Sequence, residues 1–418
     1  MNTATSPSSS SQLKTIVTLF VILRVTILLM YTPQGLLNAY TDYQHYYRVA
    51  QLSETGRYPF INTWYEYPPV ATYLSEGVYG LTRSLVPPGD LNSFTYQLYA
   101  RLLSSILLIF ETGVLILLHR IATSLWNQER ADWLGWVYSA LSLPLFFWNM
   151  SQNSVTAFFT LLAVERFIHL RWRTSATALG LGIATKFTPV FLLTPAVKFL
   201  WPDRKQTLGY GAITILTTGV VFVPFVLLGG GPWIAASFVV LMRLGSWSTP
   251  WALIDGNWTG GDAGPLETRL QLEAINHLPG NPAIIPGIVS IIVFGLLYLW
   301  LFLRPIDRRN PRHFVWFTLL TAIIFVLWSK GWSPNWATLF IPLILLSFPD
   351  QRGLWLVLTL TGIVFIEWPV ADALHSRPLL AASILARTTL FIAVAWLAAR
   401  QLWPSNKKAS AATDALEA

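Results

Sequence analysis

Long apolar runs alternate with short polar segments along the chain, and most are long enough to cross a hydrocarbon core of ~30 Å as helices. In order they are Leu13–Tyr31, Tyr96–Leu118, Ala131–Trp148, Val155–Leu170, Thr174–Leu200, Thr207–Leu228, Ile284–Leu303, Phe314–Trp328, Trp336–Phe348, Gly353–Trp368 and Pro378–Arg400. Lys14 marks a cytoplasmic start. The basic groups Arg120/Arg130, Arg166/Arg171/Arg173, Arg204/Lys205, Arg304/Arg308/Arg309/Arg312 and Lys407/Lys408 then all fall on one side. The run Thr174–Leu200 fits this alternation only if it turns back, because both its ends are basic. Lys186-Phe187-Thr188-Pro189 interrupts it, and the residue before a proline resists helical geometry. It is therefore read as two half-helices that enter and leave on the cytoplasmic side, with the break buried in protein. The expected fold is an all-α polytopic membrane protein of about a dozen segments, one of them this broken hairpin. Residues 13–404 form a single transmembrane domain with large external loops at 32–95 and 229–283, and polar, disordered cytoplasmic tails at 1–12 and 405–418.

The first external loop departs most from the apolar pattern. Its stretch Asn38–Pro69 is polar, aromatic and rich in turn residues. Thr41 and Gln44 fit a capping box, which starts a helix with Asp42 in its first turn. Tyr43, Tyr46, Tyr47 and Ala50 share one face of that helix, as expected of a helix lying on a membrane surface. Gly56 stops it, and Pro68–Pro69 open the next. A helix N-terminus favours the ionised form of Asp42, which either caps the helix or stands as a functional carboxylate at the membrane boundary.

Composition narrows the class. Of 418 residues 54% are apolar and only 11% charged, against about 25% in a soluble domain. Twenty Trp and fifteen Tyr suit interfacial belts. The net charge of +8 sits in the inter-span clusters, so it implies no nucleic-acid partner. The absence of Cys excludes disulfides, Cys-ligated metal centres and thiol catalysis, and the six His show no metal spacing.

Few acids face outward, Asp42, Glu66, Glu76, Glu367 and Asp372 among them. Charges within spans mark function or pairing. Arg24 and Glu111 lie at comparable depth on sequential spans and are expected to pair. Lys186, at the tip of the broken hairpin, either meets an anion or binds freed carbonyls. Lys330 is an outer-boundary anchor or an anion partner, and Arg243 follows the apolar run Trp233–Met242 in the second loop. Asn257-Trp258-Thr259 fits an N-glycosylation sequon, meaningful only in a eukaryotic host.

Several of these residues form a familiar order. Asp42-Tyr43-x-x-Tyr46-Tyr47, Gly56-x-x-Pro59, Tyr65-x-Tyr67-Pro68-Pro69, Ser151-Gln152-Asn153, Gly180-x-Gly182-x-x-Thr185-Lys186-x-Thr188-Pro189, Arg243-x-Gly245-Ser246 and Ser329-Lys330-Gly331-Trp332-Ser333-Pro334-Asn335-Trp336 succeed one another over residues 38–340. The chain thereby resembles the GT-C superfamily of membrane glycosyltransferases, and most closely the family 87 polyprenyl-phosphate-mannose-dependent α-mannosyltransferases. That resemblance implies transfer of a sugar, mannose in the family's case, from a polyprenyl-phosphate carrier to a glycolipid or glycan acceptor outside the cytoplasm. It also implies a bacterial plasma membrane with the site facing outward, or the endoplasmic reticulum in a eukaryote. Asp42 would serve as the base of a single inverting displacement. Lys330 and Arg243, with Lys186 behind them, would hold the leaving phosphate, and His45, Tyr46, Glu66 and Tyr67 would contact substrate. No resident cofactor is implied. Asp42-Tyr43-Gln44 stands where some members carry Asp-x-Asp, and divalent-metal dependence stays open. The rival reading is a non-enzymatic transporter or flippase of lipid-linked sugars, which predicts polar residues along several spans and near-symmetric halves.

Overall fold

The computed structural model describes residues 9–30, 42–147, 151–258, 261 and 263–404. Helix makes up 78% of the structure and no strand forms among the described residues, so backbone polar groups are satisfied within each segment, as an apolar surrounding requires. Five helices are long and apolar enough to cross a membrane: Gln12–Met30, Phe94–Leu125, Pro311–Trp328, Gln351–Ala373 and Arg377–Leu402. In chain order the helices are α1 (Ser9–Met30), α2 (Asp42–Gln51), α3 (Pro69–Leu85), α4 (Phe94–Leu125), α5 (Gln128–Ala140), α6 (Ser142–Phe147), α7 (Asn153–Ile168), α8 (Trp172–Thr185) and α9 (Leu193–Leu200). They continue with α10 (Arg204–Val220), α11 (Val223–Leu227), α12 (Gly231–Arg243), α13 (Pro250–Asp255), α14 (Gly287–Leu303), α15 (Pro311–Trp328), α16 (Ala337–Ser347), α17 (Gln351–Phe365) and α18 (Arg377–Leu402).

Several boundaries differ from the apolar pattern for stated reasons. Helix α1 begins at Ser9, inside the segment expected to be a disordered tail. The runs Ala131–Trp148 and Thr207–Leu228 each break into two helices. Pro144 offers no N–H to the Ala140 carbonyl and Pro224 none to that of Val220, and α5 and α10 end at those two residues. Helix α16 is only eleven residues long and buried throughout, so it is a core helix packed among α4, α7, α15 and α17. Thr41, Trp148, Thr259 and the tail residues 1–8 and 405–418 lie outside the described residues.

The broken run does turn back. Ser175 and Tyr210 hydroxyls lie 3.1 Å apart, and the Thr214 and Thr218 hydroxyls donate to the Ala176 and Gly180 carbonyls at 3.3 and 3.1 Å. Rising residue numbers on α8 thus meet rising numbers on α10, and the two helices run parallel. The Thr188–Leu192 turn and α9 must carry the chain back between them. Lys186 sits at the far tip in an extended conformation, about 21 Å along the axis from the start of α8 at 1.5 Å per residue.

The opposite end of the bundle is closed by side chains that spend their donors on helix-terminal carbonyls. Lys198 Nζ donates to the Phe302 and Arg304 carbonyls at 2.5 and 2.6 Å, capping α14. Trp126, Trp316 and Arg312 donate to the carbonyls of Leu346, Ser347 and Leu125 at 3.1, 2.8 and 2.8 Å. Between the two ends, Arg24 Nη2 lies 3.8 Å from Glu111 Oε1, which also accepts from Tyr138 at 2.8 Å, and the guanidinium covers the Phe20 ring at 3.4 Å. The pairing across α1 and α4 follows from depth; the Tyr138 contact from α5 does not.

Candidate functional site

Helix α2 carries the aromatic face that the sequence pattern describes, but that face packs on protein. Tyr43, Tyr46, Tyr47 and Ala50 are all buried. Tyr47 lies edge-on against Tyr79, Tyr96 and Tyr99 at 5.1 to 5.4 Å between centroids and donates to the Gly89 carbonyl at 2.8 Å. The expected membrane-surface helix is therefore corrected. At 32 residues α4 is ~48 Å long, well beyond a bilayer core, and its first turns rise out to meet α2. Gly56, in the left-handed region at φ 71°, ends the 3₁₀ extension of α2, and α3 opens at Pro69 as the proline pair requires.

Fixing α2 in this way fixes its first residue, Asp42. The carboxylate accepts from Tyr46 Oη at 3.2 Å and Asn335 Nδ2 at 3.1 Å, both on Oδ2, while Oδ1 has no hydrogen-bond partner among the described residues. Burial pushes the Asp42 carboxyl above its ordinary value, and Lys186, His45 and the two hydrogen bonds oppose that rise without cancelling it. Asp42 also lines an open cavity of about 230 Å³ whose other walls include Trp247, Trp332, Asn335, Glu367, Trp368 and Asp372.

Lys186 comes to the same place from the hairpin tip. Its Nζ donates to Asn153 Oδ1 at 2.9 Å and faces the rings of Trp336 and Tyr67 at 4.9 and 5.9 Å, with Asp42 as the nearby carboxylate. Asn153 is the first residue of α7 and is itself held by contact with Ser151 at 3.0 Å. Tyr67 in turn packs edge-on against Tyr46 at 5.7 Å. Asp42, Tyr46, Tyr67, Ser151, Asn153, Lys186, Asn335 and Trp336, picked out across five segments, thus converge.

The remaining candidates are placed differently. Glu66 is gripped by Arg269, whose Nη2 and Nε reach its two oxygens at 2.6 and 3.2 Å, and His45 Nε2 lies 3.3 Å away. Although burial pushes the Glu66 carboxyl up, Arg269 and His45 hold it well below the usual carboxylate range. His45 stacks on Tyr65 at 5.4 Å. In this structure Glu66 and His45, the expected substrate contacts, tie the segment after α2 to the loop that carries Arg269. Arg243 is exposed at the end of α12 and hydrogen-bonds Asn276, away from the cavity walls. That hydrogen bond holds the side chain, expected on the leaving phosphate, against the end of the Leu272–Asn276 turn. Lys330 is exposed; its carbonyl accepts from Trp247 N and Thr249 Oγ1, both at 3.0 Å, and its side chain is not part of the cavity wall. The Trp247 ring lies over Gly331, where a Cβ would come within 2.1 Å of it, so only glycine fits beside Lys330. Asn257, the sequon residue, is buried and bonded to Ser246 and Asn281, leaving no free amide to modify.

Sequence reasoning missed two arginines, Arg387 and Arg269. Arg387 on α18 is buried, donates through Nη1 to both oxygens of Glu367 at 2.7 and 2.5 Å, and lies over the Trp332 ring at 4.4 Å. The rule that drew attention to Arg24 and Glu111, a charge inside an apolar run, would have found Arg387 too. Arg269 had no such signal, since it lies in a polar loop. Among the described residues no cluster of three or more His, Asp or Glu is arranged to hold a metal. No family model matches the chain, and no curated protein matches it.

Proposed function

We propose that the protein is a membrane glycosyltransferase of GT-C type that moves a sugar from a polyprenyl-phosphate carrier to a hydroxyl acceptor on the non-cytoplasmic face. The dozen-segment topology and outward-facing site belong to this reading, as does the family 87 resemblance. One observation carries it: a carboxylate with one oxygen fixed and the other unpartnered opens on a cavity beside a lysine. Transfer from a lipid phosphate needs a base for the acceptor hydroxyl and a cation for the leaving phosphate. Tyr46 and Asn335 hold Oδ2, which leaves Oδ1 of Asp42 to take the proton. Lys186 supplies positive charge next to it, on the side of Tyr67 and Trp336. A raised carboxyl is a stronger base once ionised, and the Lys186 ammonium favours that ionised form against the burial that opposes it. Lys186 replaces Lys330 and Arg243 as the principal phosphate partner. A single base supports one inverting displacement. The test is transfer of labelled sugar from polyprenyl-phosphate-mannose to host lipid extract by the purified protein and its Asp42→Asn variant. Asn nearly keeps the shape of Asp, and its amide oxygen can still accept from Tyr46 and Asn335, so the fold survives and transfer falls. Equal rates in the two proteins refute the assignment.

A further inference from the structure

The arginines at the Lys198 end of the bundle fall into two groups. Arg120 pairs with Glu165, and Arg312 is spent on the Leu125 carbonyl and the Trp126 ring. Arg304, Arg308, Arg309 and Arg400 are exposed, and none of their side chains makes a hydrogen bond or ion pair with a described residue. Two of them are nevertheless held in place by rings. Arg304 covers Trp300 at 4.1 Å and Trp403 at 5.3 Å, and Arg400 covers Trp396 at 4.7 Å. Trp403 is fixed in turn, donating from Nε1 to the Pro305 carbonyl at 2.7 Å. A guanidinium stacked in this way keeps its N–H edge free for an anion, in a plane that the ring sets.

The last carbonyls of a helix ordinarily repel an anion. At the end of α14, however, Lys198 donates to the carbonyls of Leu301, Phe302 and Arg304, and its ammonium offsets that repulsion. Across α14, α15, α18 and the 304–310 segment the one acid is Asp307, whose Oδ1 accepts from Arg309 N at 2.9 Å. The surface leading to this corner is apolar. Of the seventeen residues of α14 only Leu301 is buried, while Leu296, Leu299, Trp300 and Leu303 are half exposed or more. Ile392 and Trp396 are exposed on α18, and the Trp403–Pro305 hydrogen bond joins the C-terminal ends of the two helices. At ~25 Å, α14 is close to the thickness of a hydrocarbon core, so a lipid lying along its last turns carries its headgroup to Arg304. Free phosphate would meet the charge and leave the apolar flanks uncovered; an anionic lipid uses both.

We infer that the corner formed by Trp300, Arg304 and Trp403 is a binding site for an anionic phospholipid, its phosphate on the Arg304 guanidinium and its acyl chains along the exposed flanks of α14 and α18. Arg400, one turn before Trp403, adds charge on the α18 side. The site lies at the opposite end of the bundle from Asp42 and stands independently of the transferase reading.

Native mass spectrometry of the purified, detergent-solubilised full chain tests it, with phosphatidylglycerol, phosphatidylcholine of the same acyl chains and glycerol 3-phosphate as probes. Phosphatidylglycerol binds in a saturable step, phosphatidylcholine binds more weakly by about tenfold, and millimolar glycerol 3-phosphate does not displace the bound lipid. Arg304→Gln alters an exposed side chain that bonds to no described residue, so the variant folds. It weakens phosphatidylglycerol binding by about tenfold, the effect of one charge-assisted hydrogen bond. Arg352→Gln is the control. Arg352 is exposed at the start of α17, at the same end of the bundle, and lies over no ring among the described residues. Its replacement makes the same change of net charge and leaves lipid binding as it was. Equal losses in Arg304→Gln and Arg352→Gln would reduce the effect to diffuse surface charge and overturn the site. Binding that Arg304→Gln leaves intact overturns it too, as does equal affinity for the two lipids. Displacement by glycerol 3-phosphate would make the corner a soluble-anion site and remove the lipid.

Discussion

Asp42 and Glu66 stand in the same stretch between α1 and α3, both among tyrosines, and their surroundings make opposite uses of them. Asp42 keeps one oxygen free toward a cavity, and burial lifts its carboxyl. Glu66 gives both oxygens to Arg269, with His45 beside it, and its carboxyl is held down. A carboxylate that a guanidinium grips from both sides is a fastening; one left half-satisfied at a cavity is available for chemistry. The same contrast separates the two ends of the bundle. At the Lys198 end long polar side chains spend their donors on backbone carbonyls, whereas at the Asp42 end Lys186 and Asn335 reach side-chain oxygens instead.

The sharpest way to break the comparison is to exchange the fates of the two acids. Asp42→Asn lowers the transfer rate by about 10²–10⁴-fold while leaving thermal stability near that of the parent. Glu66→Gln does the opposite. It leaves buried Arg269 facing an uncharged amide and destabilises by about 3–5 kcal/mol, measured by thermal unfolding in detergent. The double variant Glu66→Gln/Arg269→Met recovers part of that loss. A Glu66→Gln protein that is fully stable but inactive would reverse the two roles.

Glu66 also sets a pH signature. Its folded carboxyl is depressed, so its contribution is fully present above the ordinary carboxylate range and is lost only as pH falls through the depressed value. Unfolding curves collected downward from neutral pH therefore show parent and Glu66→Gln converging only under strongly acid conditions. For Asp42 the matching measurement is the pH–rate profile. Activity requires the ionised base, so it rises with pH through a value above that of an ordinary Asp. Lys186→Met removes the main charge opposing that rise and moves the acidic limb upward by about one pH unit. An unmoved limb would detach Lys186 from Asp42. The smallest effect is topological. Single cysteines replacing Arg173 and Asp203 leave activity unchanged and are labelled from the same side of the membrane; opposite sides would contradict the hairpin.

The helical, apolar character of the chain was legible in the sequence because hydrophobic pattern acts locally. The return of the chain at Lys186–Pro189 followed from a proline and two basic ends. The proline breaks at Pro144 and Pro224 obey the same rule and were equally readable. Asp42 and Lys186 were both identifiable, as an acid at a helix start and a charge within an apolar run, yet nothing local said that they meet. That meeting depends on α2 standing on the overlong α4 while the hairpin tip rises beside α7. Arg269 on Glu66, Arg387 on Glu367 and Asn335 on Asp42 join residues far apart in the chain, which only tertiary packing brings together. Whether a given carboxylate is gripped or left free is decided by which cation the fold delivers to it, because desolvation and pairing depend on distances that local sequence pattern does not set.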